Sequence, residues 1–352
     1  MSERAAEVVV VGGGIVGLAA ADALAARGVD VRCLERAEAG SGQSAGFMRV
    51  FRHAHDRADL VELARTARGE WDAWSERAGT PLVGPGGVLF AGPEQDEVAV
   101  LLAAAGVEHR FADEEEQREL LPVLAPPSGR ALVDLRGGPI RVRPAIAALV
   151  SRLGERLVRE EALAVQADRG GALVATPAGV WRAARVLVCA GAGTAPLARG
   201  VGVELPLEER LHLRVTFRVA PAHRERPLAC WLDRTGRHGA TVYSGPVVEL
   251  DGFAVGLATE EADAAGDLAR SLARVRAYVE RALPGLQPEP LALRPCVLTI
   301  LPWHGDAFAL WEAGPVLVFA GHNLFKLAPT LGRLLADAAV TGVVPPALRP
   351  PS

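Results

Sequence analysis

Lysine is almost absent from this chain. Lysine and arginine together number 38, and Lys326 is the one lysine, so arginine supplies the other 37. Where a bare positive charge suffices, arginine serves. An ammonium kept at one place points to a tight site where a planar guanidinium does not substitute; a lysine snorkelling off a helix start is the plainer alternative. Cysteine is scarce as well. Cys33, Cys189, Cys230 and Cys296 are too few and too spread for a disulfide framework or a zinc site, and their use fits a reducing, cytoplasmic setting. No paired carboxylates stand out, so no metal is expected. The formal net charge is −4 with no basic stretch, which speaks against a nucleic-acid partner. No apolar run is long enough to span a bilayer, so no membrane partner is expected. Residues 5–26 look superficially like a signal peptide. Three consecutive glycines, Glu7, Asp22 and the missing basic n-region argue against export. The end, VVPPALRPPS, reads as a frayed tail over 346–352.

What is present suits an ordinary globular protein of roughly two domains: 352 residues, 50% hydrophobic and 23% charged. The β-branched run EVVVV (7–11) reads as a buried parallel strand. After it come Gly12-Gly13-Gly14-Ile15-Val16-Gly17 and an alanine-rich helix to Arg27. Gly28 ends that helix, and VDVRCLER reads as a second strand, closed by Glu35 and Arg36. Gly12, Gly14 and Gly17 stand in G-x-G-x-x-G register. Gly12 permits the tight turn, Gly14 lets the backbone approach a pyrophosphate, and Gly17 lets helix and strand pack. Ile15 and Val16 open the helix whose N-terminus faces the phosphates, and Glu35 accepts from ribose hydroxyls. With both strands, the helix and the acid in place, the reading is dinucleotide binding.

Beyond this unit, the pattern predicts helices at 58–78 and 94–105, strands at 87–91 and 130–135, and a helix from about 143 to 153. Three or four short strands follow within 158–188, among them the one carrying Val165. RVLVCAGAGT (185–194) is a buried strand running into the turn at Ala190-Gly191. Alternating strands fill 205–260, then a helix at 266–283 and strands near 291–301 and 307–310. PVLVFAG gives a last buried strand and PTLGRLLADAAVTG a last helix. A nucleotide-binding fold is thus interrupted by an antiparallel-rich insert and completed from the C-terminal end.

Four landmarks together resemble the flavin-dependent amine and amino-acid oxidases of the D-amino-acid oxidase superfamily. Monomeric sarcosine oxidase, N-methyltryptophan oxidase, pipecolate oxidase and the nikkomycin-pathway imino-acid oxidase form the branch in view. The landmarks are the N-terminal fingerprint, SGQSAGFMRVFRHAH (41–55), RPCVLTILP (294–302) and GHNLFKLAP (321–329). The resemblance implies an α/β fold with an α+β insert. A Rossmann-like FAD-binding domain (1–80, 140–205 and 290–345) would be interleaved with an antiparallel-sheet substrate domain (81–139 and 206–289).

It further implies that Gly42, Gln43 and Ser44 lie along the FAD phosphates, that Arg49 sits at the flavin ring, and that Arg52 faces the substrate. Cys296 would be joined covalently to the flavin. Val165, Ala190, Gly191, Gly321, Leu324 and Phe325 complete the cofactor set, with Lys326 bordering both cofactor and substrate. Arg52 and Lys326 would bracket one substrate carboxylate, a fork on one side and a compact charge on the other. His322 and Tyr243 are further catalytic candidates. Trp303 and His304 are candidate pocket borders, and His53 and His55 are expected to be structural.

Two departures from the family stand out. A family lysine beside flavin N5 appears here as Ala254, in GFAVGLA, which leaves the electron acceptor open between O2 and another partner. The Gly-His-Gly loop appears as His322-Asn323-Leu324. The implied activity is FAD-dependent oxidation of a C–N bond in a small carboxylate-bearing amine, by a monomer or small homo-oligomer. The alternatives are a dehydrogenase or tailoring enzyme of a biosynthetic pathway, and a flavin-binding protein without turnover. An NAD-dependent dehydrogenase is disfavoured, since no second nucleotide fingerprint exists.

Overall fold

The computed structural model describes residues 2–262, 266–303 and 306–351. The chain divides into two compact units. The first comprises Met1–Ala45, Pro144–Glu209 and Val297–Ser352; the second comprises Gly46–Arg143 and Arg210–Cys296.

The first unit is built on an eight-stranded sheet. Its central strand, Ser2–Val11, pairs in parallel with Val31–Leu34 on one side and Gly179–Val188 on the other. Gly179–Val188 in turn pairs in parallel with Val316–Gly321. The strand carrying the late glycine turn and the last buried strand therefore both join the N-terminal sheet, as the pattern predicts. Val8 to Val11 are at most 4% exposed; Val9 and Val11 share a core with Val165, Val174, Trp181 and Leu197.

The first strand is longer than the apolar run 7–11. Its polar beginning is held by pairing with Gly179–Val188 and by Arg4, which pairs with Glu160 and lies 4.3 Å over the Trp181 ring. The Arg4 hydrogen bond holds the Glu160 carboxyl down at about 2. Helix Ile15–Ala26 is alanine-rich, which lets helix Ala328–Thr341 come close. A Cβ added at Gly332 would lie 2.6 Å from the backbone of Ala19. The predicted frayed tail is instead anchored: Leu348 is fully buried, within a short turn Pro346–Leu348.

The second unit holds another eight-stranded sheet. Its order is Leu286–Ile300, Glu208–Val219, Gly252–Leu257, Val242–Val247, Cys230–Asp233, Val88–Ala91, Ala131–Asp134 and His109–Ala112. Helix Leu268–Ala282 buries Ser271, Val275, Tyr278, Val279 and Ala282, a stripe at the 3.6-residue period. Tyr278 Oη donates to Asp233 (2.8 Å) and accepts from Trp231 Nε1 (2.9 Å), so the phenol is satisfied inside the core.

The sequence reading places residues up to 80 with the nucleotide domain, whereas the chain leaves the first unit after Ala45. The cause is a pairing invisible in the local pattern: Met48–Phe51 pairs antiparallel with Gly138–Arg141. Next to it His53 donates its backbone N–H to Asp134 (2.5 Å) and sets its Nδ1 2.9 Å from the same carboxylate. This is the structural role expected of that histidine. Among the described residues, no helix is long and apolar enough to cross a membrane.

Candidate active site

The glycine fingerprint is enforced by packing. Gly12 has φ +110°, and a Cβ there would sit 2.5 Å from the Cys189 carbonyl oxygen. A Cβ on Gly17 would come within 1.9 Å of the Gly12 oxygen. The end of the first strand, the start of the helix and the Cys189-Ala190 corner therefore meet with no room for side chains. Gly14 caps the helix without a side-chain cap, and no acidic residue lies in the first turn. Ile15 N–H donates to Ser44 Oγ (2.9 Å); the serine hydroxyl keeps its own hydrogen to offer.

A helix N-terminus free of acidic residues in its first turn, beside a side-chain-free turn, fits the pyrophosphate of a dinucleotide. Glu35 fits the adjoining ribose. Its carboxylate accepts from Gly13 N–H (2.7 Å) and Ala37 N–H (2.9 Å), which fixes it beside the turn with acceptor capacity remaining. Thr194, just past the Gly191 turn, has a buried hydroxyl without a hydrogen-bond partner among the described residues, as a group facing a ligand would.

The other nucleotide-side residues separate into those held together and those turned elsewhere. Gln43 Nε2 donates to the Val297 oxygen (2.7 Å) and to Thr299 Oγ1 (3.2 Å). Thr299 Oγ1 donates onward to the Gly321 oxygen (3.2 Å). A Cβ on Gly191, at φ +57°, would lie 2.9 Å from Gln43 Oε1. Gln43 and Gly321 are thus joined through Thr299, with Gly191 close against Gln43; Thr299 is a residue that sequence reasoning missed, and a lone buried hydroxyl in the VLTIL run is the available signal. Ile15 and Val16 are buried, Ala190 half-buried, and Gly42 exposed with nothing near its added Cβ. Arg36 is exposed and faces Glu161 at 3.8 Å. The Val165 side chain is fully buried in the core with Val174 and Trp181, leaving only its main chain for a ligand.

Lys326 is 5% exposed, and its ammonium donates to Asp306 Oδ2 (2.7 Å) and to the Asn323 oxygen (2.9 Å). Asn323 Nδ2 holds the other oxygen of Asp306 at 2.6 Å. The expectation pointed this lysine at a substrate carboxylate; the structure gives it a protein carboxylate, unmarked by any sequence spacing. Asn323 adopts the left-handed conformation (φ 58°), which asparagine tolerates. His322 is buried and donates its backbone N–H to the Ala307 oxygen. Phe325 is buried and Leu324 half-buried. Trp303 stacks on Trp311 with ring centres 6.0 Å apart; His304 lies outside the described residues.

The second unit gathers a different set. Along residues 211–217, LHLRVTF, Leu213, Val215 and Phe217 enter the core, while His212, Arg214 and Thr216 share the opposite face. All six are at most 8% exposed. Burial, then the guanidinium of Arg214, push Arg49 down to about 9; Arg294 adds to the shift, and Tyr243 and Cys296 oppose it.

Burial, then Arg214, also push His212 down to about 3, so its imidazole is neutral near pH 7. His212 Nε2 lies 2.9 Å from the Leu257 oxygen and Nδ1 lies 3.9 Å from Cys296 Sγ. A neutral ring that donates through Nε2 presents Nδ1 as an acceptor to the thiol. Tyr243 stacks on His212 with centres 5.6 Å apart. Arg49, Tyr243 and Cys296, predicted separately, are therefore neighbours, whereas His212, Arg214 and Arg294 were missed. The signal for His212 and Arg214 is a polar stripe on a strand whose other face is wholly apolar.

A cavity of about 270 Å3 opens here, lined by Gly46, Phe47, Met48, Arg214, Thr216, Ala254, Ala292, Leu293 and Arg294. Ala254 pairs with Thr216 on one side and Gly245 on the other. Arg52, expected to face a substrate, donates back to its own chain at the Ala54 oxygen. Cys33 and Cys230 are buried, and burial pushes Cys33 up to about 12 and Cys230 higher still. They are inert core thiols. Among the described residues no group of side chains is arranged to hold a metal.

Comparison with known proteins places this arrangement. The chain is similar to NikD, described as an unusual amino acid oxidase essential for nikkomycin biosynthesis, in its open form. That likeness has TM-score 0.85 and 23% identity, covering 99% of this chain and 98% of that one. It is similar to an L-proline dehydrogenase from P. horikoshii, with TM-score 0.83 and 20% identity over 97% and 95% of the two chains. It is also similar to a glycine oxidase from Geobacillus kaustophilus, with TM-score 0.79 and 22% identity over 96% and 95%. At these identities the likeness is one of fold. No curated protein matches the chain at a significant level. The family model described as DAO, FAD dependent oxidoreductase, matches residues 7–338, and the chain belongs to that family of FAD-dependent oxidoreductases.

Proposed function

We propose that this protein oxidises the C–N bond of a carboxylate-bearing amine: an amino acid, a secondary amine or a cyclic imino acid. The observation that carries this reading is the concentration of guanidinium charge in the second unit. Arg214 and Arg294 both lie close enough to act on Arg49, and Arg214 and Arg49 both act on His212. Such a place attracts an anion. The same charges disfavour an ammonium, so a bound amine is driven toward its neutral form, the form that gives up hydride. His212 is neutral and adds no further positive charge. The relatives named above, an amino acid oxidase, a proline dehydrogenase and a glycine oxidase, act on this class of compound by their descriptions.

FAD, when bound, supplies the acceptor of the hydride at its N5. Gly12, Gly14, Ile15 and Ser44 would hold its phosphates, Glu35 its ribose, and Gln43, Gly191 and Gly321 the segment next to them. Cys296 is the candidate for a covalent thioether to the cofactor. His212 Nδ1 accepts the thiol hydrogen and orients the sulfur, while its low pKa keeps it from holding that proton near neutrality.

A second reading concerns the electron acceptor. Ala254, where the family places a lysine, leaves that strand position without a cation, which favours an acceptor other than O2. The test is a panel of amino and imino acids added anaerobically to the holoenzyme, followed by flavin bleaching. Bleaching by carboxylate-bearing amines, and not by their decarboxylated analogues, is expected. A panel that bleaches nothing overturns the reading. Peroxide yield against reduction of an artificial dye then separates the two acceptors.

A further inference from the structure

We propose that Tyr243 is a positioning residue for covalent attachment at Cys296, acting through the His212 ring, and that Gly256 is the bare strand position that lets it do so. The inference rests on the reading of Cys296 as the sulfur joined to the cofactor, and it adds the two residues that aim that sulfur.

The arrangement follows from strand register. In the sheet of the second unit Tyr243 is the cross-strand partner of Gly256, and Gly256 is that of Arg214. Cross-strand partners share a face, so the phenol, the missing side chain and the guanidinium form one row. His212 stands two residues before Arg214 on the same strand and so belongs to the same face. A strand side chain ordinarily stands perpendicular to its sheet. Tyr243 instead leans across the middle strand. A Cβ on Gly256 would lie 2.8 Å from Tyr243 Cζ, 2.9 Å from Oη and 3.0 Å from Cε1. The crossing lays the phenol almost parallel to the imidazole of His212, with 14° between the planes and 5.6 Å between centres. Tyr243 Oη lies 3.4 Å from His212 Nε2.

The imidazole is thereby held twice. Nε2 is tied to the Leu257 oxygen at 2.9 Å, and the phenol covers one face; the other nitrogen, Nδ1, lies 3.9 Å from Cys296 Sγ. A ring tethered by one hydrogen bond can still swing about it. The stacked phenol removes that freedom, and an acceptor fixed in direction fixes the S–H group that it faces. In the linking reaction a carbon–sulfur bond forms at a ring methyl of the flavin. The thiol and that methyl each give up a proton, and the electron pair passes through the ring to a quinone acceptor, which takes up both protons. Tyr243 enters this balance only through the direction of the sulfur.

The experiment mixes the full chain, purified from riboflavin-starved cells, with FAD and a quinone and follows polypeptide mass. Wild type is expected to gain the mass of the cofactor. Tyr243→Leu is expected to slow the gain roughly tenfold, the scale on which a misdirected reacting group loses rate. Tyr243→Phe, which keeps the stacked ring, is expected to stay near the wild-type rate. Alanine suits a strand interior better than glycine, so the strain of Gly256→Ala falls on the phenol, and this variant is expected to match Tyr243→Leu. It also carries the test if Tyr243→Leu fails to fold. In the double variant the alanine is expected to add nothing, because the ring it displaces is gone. Noncovalent FAD affinity is the control: a folding defect lowers it together with the rate, whereas lost aim lowers the rate alone. Wild-type rates in both Tyr243→Leu and Gly256→Ala overturn the proposal. So do effects that multiply in the double variant, a Tyr243→Phe as slow as Tyr243→Leu, or FAD affinity that falls in step with the rate. A wild-type chain that gains no mass overturns the reading of Cys296 itself, and the proposal with it.

Discussion

Lys326 and Asp306 form a buried ion pair, 2.7 Å from Nζ to Oδ2, with Asn323 closing the third side. The single lysine of the chain is thus first an element of structure. Removing one member leaves the other charge buried without its partner, at a cost of about 3–5 kcal/mol. Lys326→Met is expected to lose that much in urea unfolding, and Lys326→Met with Asp306→Asn to recover most of it. If Lys326→Met unfolds at the wild-type urea midpoint, the pair has no structural role.

The glycine corner makes a sharper prediction about cofactor retention. Gly17→Ala forces a Cβ to within 1.9 Å of the Gly12 oxygen, and backbone must move to relieve it. The variant is expected to be purified with little or no flavin. A Gly69→Ala control, on the exposed face of helix Ala58–Ala78 where the added methyl meets nothing, is expected to keep its full complement. Flavin per polypeptide, read from the visible spectrum, decides.

Acid sensitivity follows from His212. Its folded pKa is about 3 against 6.5 for the free group, lowered first by burial and then by Arg214. Between those values the unfolded chain binds a proton that the folded one refuses, so stability falls as pH drops from 6.5 toward 3. The loss from this group is about 3 kcal/mol between pH 6.5 and pH 4, at roughly 1.4 kcal/mol per pH unit. Above pH 6.5 the group contributes no slope. His212→Asn is expected to remove that share of the acid destabilisation. Urea midpoints at pH 7 and pH 4 check it; identical pH dependence in wild type and variant would show that the imidazole titrates normally.

Covalent attachment is checked by acid precipitation. Yellow colour is expected to pellet with the wild type and to stay in the supernatant with Cys296→Ser. His212→Asn removes the acceptor facing the sulfur, so slower incorporation with the same final link is expected, read by polypeptide mass over time. Colour that pellets with Cys296→Ser excludes this cysteine.

The legible parts of the molecule are those encoded in neighbouring residues. Gly12, Gly14, Gly17 and Glu35 announce a nucleotide site because one turn and one strand contain the whole motif. The strands ending at Val188 and Gly321 were readable as buried because apolar runs mark a sheet covered on both faces. The strand Met48–Phe51 was not, since MRVF carries an arginine and its partner, Gly138–Arg141, lies about ninety residues away. Asp306, Thr299 and Arg294 were missed for a similar reason: each acquires its neighbour through folding and has no diagnostic spacing. His212 and Arg214 were within reach, since alternation with Leu213, Val215 and Phe217 sets polar side chains on a face that an exposed strand would give to water.

That alternation separates two tasks on one strand. Odd positions from 213 to 217 hold the molecule together, while Arg214 and Thr216 on the other face line the cavity. Chemical preference can therefore drift by exchanging even-numbered side chains while the interior stays as it was. An insertion or deletion of one residue there would do the reverse, turning guanidinium inward and phenyl outward, and would abolish fold and recognition together.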